Sequence, residues 1–173
     1  HILDPLEKQI KNINTIKPDV IWGHPSSINL WANYIEKNTI DLEKSPRIIF
    51  TAAEILTSNM RHFIEDTFNS SVFDIYGAHE TGCIAWECDH HEGYHLDMDR
   101  LFVEIVDDEG THVGDGEEGR VIVTNFYSEA MPIIRYEIGD RAVYKEEECS
   151  CGRSGHMLPV SYTHLTLPTK RIV

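Results

Sequence analysis

Two sets of side chains in this sequence of 173 residues have types and spacings suited to chemistry. The first is the run VFDIYGAHETG at residues 72–82. Val72, Phe73 and Ile75 surround one acid in a short apolar stretch, the pattern of a buried strand, and Gly77 breaks it directly after Tyr76. A glycine beside an aromatic residue lets the backbone approach a flat ligand, and Glu80 brings a hard carboxylate oxygen of the kind Mg²⁺ takes beside phosphates. That combination suits a nucleotide. The same residues also suit an ordinary strand-to-turn junction that ends in a solvated acid.

The second set is Cys88, His91 and His95, with Cys149 and Cys151 far along the chain. Thiolate and imidazole together select Zn²⁺, which structural sites hold with four such ligands. Cys88, Cys149, Cys151 and one histidine would make Cys₃His. His91 has the C-x₂-H spacing and His95 follows a Gly-Tyr pair, so the spacing leaves the fourth ligand open. The competing reading is two unrelated loops with inert thiols. Cys83 has no partners at such spacing and reads as a small core residue, and a redox Cys-x-Cys lacks the βαβ setting of a dithiol motif.

These residues need elements to position them. Apolar residues at helical spacing predict a helix over 2–16, stopped by Pro18, and residues 19–22 read as a strand. Pro25 can open a helix running to about residue 37. Residues 47–50 make a strand, and Thr57 caps a helix whose stripe is Met60, Phe63, Ile64 and Phe68. Alternation of strand and helix predicts an α/β layered parallel sheet with flanking helices, with ligands at the carboxyl ends of its strands. After Cys88 the helical runs stop. Residues 101–106, 120–124, 133–136 and 141–144 read as antiparallel strands, the start of a β-barrel, and 107–119 as an acidic, Gly-rich solvated hairpin connection.

Composition narrows the partners. With 29 acidic against 15 basic side chains the formal net charge is −14, and no basic stripe offers phosphate contacts, which argues against nucleic acid. There is no signal-peptide pattern and no apolar run near the ~18 residues of a membrane span, so a soluble, cytoplasmic protein with reduced thiols or a metal is expected. No oligomeric state follows from these residues; a homodimer is compatible with them. The stretch VSYTHLTLPT after Pro159 resembles one translated frame of a transposase adapter used in sequencing libraries. Residues 160–173 are therefore expected to be an artefactual tail, outside any domain. Without their Lys170 and Arg171 the charge is −16.

The run at 72–82 resembles the Tyr-Gly-x-Thr-Glu signature of adenylate-forming enzymes, and further matches follow in order. They are FTAAEILT (50–57), IAWEC (84–88), EGRVIVTNF (118–126), AMPIIRYEIGD (130–140) and CSCGR (149–153). Together they resemble the phenylacetate-CoA ligase branch of the acyl-CoA ligase superfamily, with its capsule-biosynthesis (CapK-type) and coenzyme F390 synthetase relatives, over about residues 1–159. The resemblance implies that residues 1–87 are an α/β part of the large adenylation domain and 88–159 its β-rich barrel portion, which would carry the zinc loops read above from the cysteines and histidines. It implies a carboxylic acid substrate, MgATP and CoA: an acyl adenylate forms, then a thiol takes the acyl group. Glu80 would hold Mg²⁺, Tyr76 would pack on the adenine with Gly77 along its edge, and Asp140 would bind the ribose hydroxyls. Asp140 also reads as a plain turn acid before Arg141.

Two stretches depart from the family pattern. His79 stands for a Thr that donates to phosphate, and in FTAAEILT the usual Gly and Pro around Glu54 are Ala53 and Ile55. An added methyl where backbone meets nucleotide could weaken or re-aim ATP binding. The acid is expected near residues 22–25 and the Gly77 loop, with Trp22, His24 and Ala78 as candidates; ordinary packing at a strand end accounts for them equally well. The phosphate loop would lie before residue 1 and the catalytic-lysine domain after 159, so this polypeptide alone is expected to lack adenylation activity. A second reading, motivated by Ala53 and His79, is a zinc-stapled binding or scaffold module of the same fold without turnover.

Overall fold

Pro18 ends the first helix where expected. In the computed structural model, which describes residues 4–146 and 149–159, α1 (Leu6–Ile16) closes on Lys17 in the left-handed region, whose N–H reaches the Ile13 carbonyl. Residues 1–3, 147–148 and the adapter-like 160–173 lie outside the described residues. The chain divides into two compact units, His1–Asp74 and Ile75–Val173.

In the first unit β1 (Val20–Gly23) pairs in parallel with β2 (Ile48–Ala52). The intervening α2 (Pro25–Lys37) starts on its proline, whose fixed φ suits the first helical turn. Between β2 and β3 (Ser71–Ala78) runs α3 (Ser58–Phe68), where the Thr57 hydroxyl oxygen accepts the Met60 N–H at 3.3 Å. The helices bury Ile10, Ile28, Ala32, Ile35, Ile64 and Phe68 against Ile21, Ile49 and Val72 of the strands. The alternate strand positions carry Trp22, Phe50 and Phe73, whose rings follow one another at 5.8 and 6.1 Å. The lone acid of the apolar run, Asp74, is buried, and its carboxylate accepts the hydroxyl of the fully buried Thr51. A buried carboxylate needs such a donor, which the apolar pattern of the strand does not reveal.

Antiparallel pairing begins earlier than the change of composition at Cys88 suggests. After β3, residues 79–81 turn the chain into β4 (Gly82–Glu87), which pairs with the end of β3, and β5 (Gly93–Leu96) pairs with β4. A second sheet holds β6 (Leu101–Val106), β7 (Glu118–Asn125) and β8 (Ile133–Val143) as an antiparallel meander. The final strand β9 (Met157–Pro159) returns to the first sheet and adds to β5. Inward-facing Leu101, Ile105, Val121, Val123 and Ala142 of the meander pack with Tyr76, Ile84, Ala85, Tyr94 and Leu158 in the core of this unit. The separate strands expected at 133–136 and 141–144 are one strand of 11 residues. Among the described residues no helix is long and apolar enough to cross a membrane.

Candidate functional site

The β3–β4 connection is a three-residue hairpin loop, His79, Glu80 and Thr81, followed by Gly82 at φ 77°, a left-handed conformation that glycine adopts without strain. Gly77 faces this turn so closely that a Cβ there would lie 2.5 Å from the Gly82 carbonyl oxygen. Only glycine lets the two strands meet. The tip therefore presents His79 and Glu80 to solvent, while Thr81 is buried.

Against this turn lies β8, whose ladder with β7 is irregular in two places. Ile133 and Tyr136 pair with Asn125 and Val123, and Glu137 and Arg141 with Ile122 and Arg120, so β8 carries extra residues on each side of the Tyr136–Glu137 pair. Such bulges re-aim side chains. The result is a crossed pair of hydrogen bonds. The Tyr76 hydroxyl donates to Asp140 Oδ2 at 2.8 Å, and the Tyr136 hydroxyl donates to Glu80 Oε1 at 3.3 Å. Because 76 pairs with 140 and 80 with 136, both carboxylates lie where the end of β3 and its turn pass β8. Burial, then the Asp140 charge, pushes the Tyr76 phenol far above its ordinary range. Burial also raises Asp140, against the pull of the Tyr76 hydroxyl, and the charge of Glu80 raises Tyr136. Tyr76 is 6% exposed, with its ring in the core of the unit.

The first unit holds other expected residues. Ala53, just past β2, has φ 68°, a left-handed conformation that suits the glycine of the resembled pattern. It turns Glu54 onto the start of α2, where the carboxylate accepts the Ser26 N–H at 3.0 Å. Hydrogen bonding from Ser26 lowers the Glu54 pKa, with the nearby His24 acting in the same direction. Glu54 thus satisfies a helix-start donor that His24, the residue before Pro25, leaves without a side-chain cap. Relieving Ala53 should show in denaturation: Ala53→Gly is expected to raise stability, or leave it level, by up to about 1 kcal/mol, the methyl's left-handed strain outweighing glycine's chain entropy. A clear loss in urea melts would contradict this. Trp22 and His24 line one groove of about 620 Å³ with Ile13, Ile16 and Trp31. Ala78 belongs to the second unit, packed at the edge of its core.

The cysteines and one histidine of the second set converge. The ligand atoms of Cys88, His95, Cys149 and Cys151 all lie within 4.8 Å of one another. His91 stands outside this group, its Nδ1 3.5 Å from the buried Glu87 carboxylate. Cys83 is also outside, and burial raises its pKa. The backbone N–H of Arg153 draws the Cys151 thiol below its usual range, while burial lowers His95.

Three contributors have no role in the sequence reading. Tyr136, Ser26 and Arg153 act through partners far away in sequence or through backbone N–H groups. Tyr136 did leave a signal: both Tyr76–Glu80 and Tyr136–Asp140 have a tyrosine four residues before an acid, and the fold exchanges their partners.

A model of the family described as AMP-binding enzyme matches residues 1–126. The protein CapK of Staphylococcus aureus is 32% identical over 168 residues, covering 97% of this chain and 34% of that protein. That coverage enters residues 160–173. A phenylacetate-coenzyme A ligase of Thermus thermophilus is 30% identical over 153 residues, 86% of this chain and 34% of its own length. Among solved structures, an open conformation of 2-hydroxyisobutyryl-CoA ligase in complex with 2-HIB-AMP and CoA superposes with a TM-score of 0.79 at 20% identity, covering 90% of this chain and 35% of that one. The chain spans about a third of the length of these relatives.

Proposed function

Because the chain belongs to the AMP-binding enzyme family, we propose that it is part of an AMP-forming acid–thiol ligase that activates a carboxylic acid with ATP and passes the acyl group to CoA. In this reading residues 1–87 are an α/β part of the large domain and 88–159 its barrel portion. The observation that carries the proposal is the crossed pairing of Tyr76 with Asp140 and Tyr136 with Glu80. It holds both carboxylates of the motif beside one strand crossing.

The reaction makes few covalent demands on these side chains. The substrate carboxylate attacks the α-phosphorus and the bond to pyrophosphate breaks; the thiol then attacks the acyl carbonyl of the adenylate, and AMP leaves as the thioester forms. What the chain supplies is position and charge. Asp140, aimed by the Tyr76 hydroxyl, accepts the two ribose hydroxyl protons. Glu80 is an exposed hard oxygen at a turn tip, steadied by Tyr136, and fits Mg²⁺, which keeps most of its waters and takes one or two carboxylates beside phosphates. Bound there, Mg²⁺ would offset phosphate charge. His79 beside it can donate to a phosphate oxygen, in place of a threonine hydroxyl. The Tyr76 ring, only 6% exposed, has little surface left to pack on adenine. Ala53 keeps its loop in the glycine-like conformation, which argues against the non-catalytic scaffold reading. The groove at Trp22 and His24 has the size of a small-molecule site and suits the organic part of the acid.

A structural zinc at the cysteine–histidine cluster belongs to the same proposal, outside the reaction. Similarity to a ligase named for coenzyme A, a water-soluble substrate, supports a cytoplasmic location. The test is carboxylate-dependent ATP–pyrophosphate exchange by the full-length parent, with phenylacetate first in a panel of aryl, fatty and amino acids. Exchange with one class, followed by CoA thioester formation, is expected. Full-length protein that binds ATP but exchanges with no acid would overturn the proposal.

A further inference from the structure

We infer that Cys88, His95, Cys149 and Cys151 form a closed tetrahedral zinc centre, with His95 as the nitrogen ligand and Arg153 as its charge-compensating neighbour. This deepens the zinc part of the proposal above and is independent of the ligase chemistry. A tetrahedral site with Zn–S near 2.3 Å and Zn–N near 2.05 Å has S–S edges of about 3.8 Å and S–N edges of about 3.6 Å. Cys88 Sγ lies 3.6 Å from Cys149 Sγ, and Cys151 Sγ lies 3.5 Å from His95 Nε2. All four cysteines are free thiols, and the Cys88–Cys149 separation is far beyond the ~2.05 Å of a disulfide. The spacing is that of ligands around an ion.

The surrounding chain is built for this. Cys88 and Cys149 each open a tight turn whose fourth residue returns its N–H to the cysteine carbonyl, His91 at 3.1 Å and Gly152 at 3.2 Å. In both turns that fourth residue has a left-handed φ, 52° and 78°. Glu92 ties the turns together by accepting both the N–H and the hydroxyl of Ser150. His95 comes from β5, where it pairs with Met157 of β9, and is 4% exposed. The turn geometry explains why His91 is excluded: as the closing residue of its turn it reaches Glu87 instead.

Ligand chemistry chooses the metal. Three thiolates and an imidazole are too soft for Mg²⁺ or Ca²⁺, and four protein ligands leave no open position, so the centre is structural rather than catalytic. A dication with three thiolates carries a net charge of −1. Arg153 answers it: its backbone N–H and its guanidinium lie 3.5 and 3.7 Å from Cys151 Sγ. One ion thus ties the β4–β5 turn to the segment entering β9, a strand of only three residues beside a core cluster of Cys88, Cys149 and Met157. A metal would add to the Glu92–Ser150 hydrogen bonds a second link between the two loops.

The chain, purified from zinc-supplemented cells without chelator, should carry one equivalent of zinc by elemental analysis. Replacing zinc with Co²⁺ should give the visible bands and thiolate charge-transfer absorption of a tetrahedral thiolate site. His95→Gln should abolish both signals, whereas His91→Gln and Cys83→Ser should keep them. The last two variants keep the assignment testable even where His95→Gln unfolds. Arg153→Ala should retain stoichiometry but bind zinc at least about 10-fold more weakly in competition with a chromophoric chelator. Folded wild-type chain without metal, or loss of the ion in His91→Gln, would overturn the inference. Either failure leaves ATP–pyrophosphate exchange by the parent unaffected, and a parent without exchange leaves the metal count unaffected.

Discussion

In the full-length parent, Asp140→Ala is expected to lower kcat/KM for ATP by about 10²–10⁴-fold. A carboxylate accepting two ribose hydroxyls makes two charge-assisted hydrogen bonds, each worth ~1.5–3 kcal/mol, and alanine removes both. The loss should fall mainly on KM, because the ribose is held alike in the ground and transition states. Alanine also strands the buried Tyr76 hydroxyl, which donates to Asp140 at 2.8 Å, at a cost of ~1–3 kcal/mol in stability. Asp140→Asn separates the two effects. Its amide oxygen can still accept from Tyr76, so stability should be nearly kept while ATP binding drops about 10-fold for the weaker, neutral acceptor. The pH profile adds a sign. Burial holds Asp140 above the ordinary carboxylate pKa, so it protonates earlier as pH falls, and KM for ATP should begin to rise at a higher pH than a normal aspartate would give. The Asp140→Asn variant should flatten that limb. A parent whose Asp140→Ala form binds ATP unchanged would remove the ribose role.

Which parts of this arrangement could be read from the sequence depends on the range of the interaction that fixes them. Thr57, Pro18 and Pro25 act on their own helix ends, so caps, stops and starts were legible, as was the apolar stripe of α3. β8 was not. Its expected break at 137–140 is a bulge, a feature set by how many residues β8 and β7 place between shared pairs, and no single-strand pattern carries that count. The same bulges aim Tyr136 and Asp140, so the partner exchange with Tyr76 and Glu80 appears only in three dimensions. His91 and His95 were equivalent by spacing. The register of β4 with β5, which sets Trp86 opposite His95, turns one histidine inward and leaves the other to close a turn. Ala53 was legible in a different way. The resemblance marked it as standing for glycine, and its φ of 68° supplies the physical reason.

Phe68→Ala is expected to be the most damaging single change in the first unit. Phe68 is fully buried at the last turn of α3, in the cluster with Ile49, Ile64 and Val72. Truncating a buried phenylalanine costs ~3–5 kcal/mol, from lost transfer energy and the cavity left behind. Domains have only ~5–15 kcal/mol in total, so the unit should melt at much lower denaturant. Relaxation is restricted here, because Asn69, at φ 48°, ends the helix directly after Phe68 and leads into β3 within two residues. The tryptophans allow the prediction to be localised. Trp22 and Trp31 lie in the first unit and Trp86 in the second. In a Trp86→Phe background, fluorescence in a urea titration follows the first unit, and its midpoint should fall sharply in Phe68→Ala. Phe126→Ala, at a position 60% exposed in the second unit, should leave that midpoint unchanged. Equal midpoints for the two variants would mean that Phe68 is not the keystone of this core, and that α3 is held to its strands by the remaining aliphatic contacts and the Thr57 cap alone.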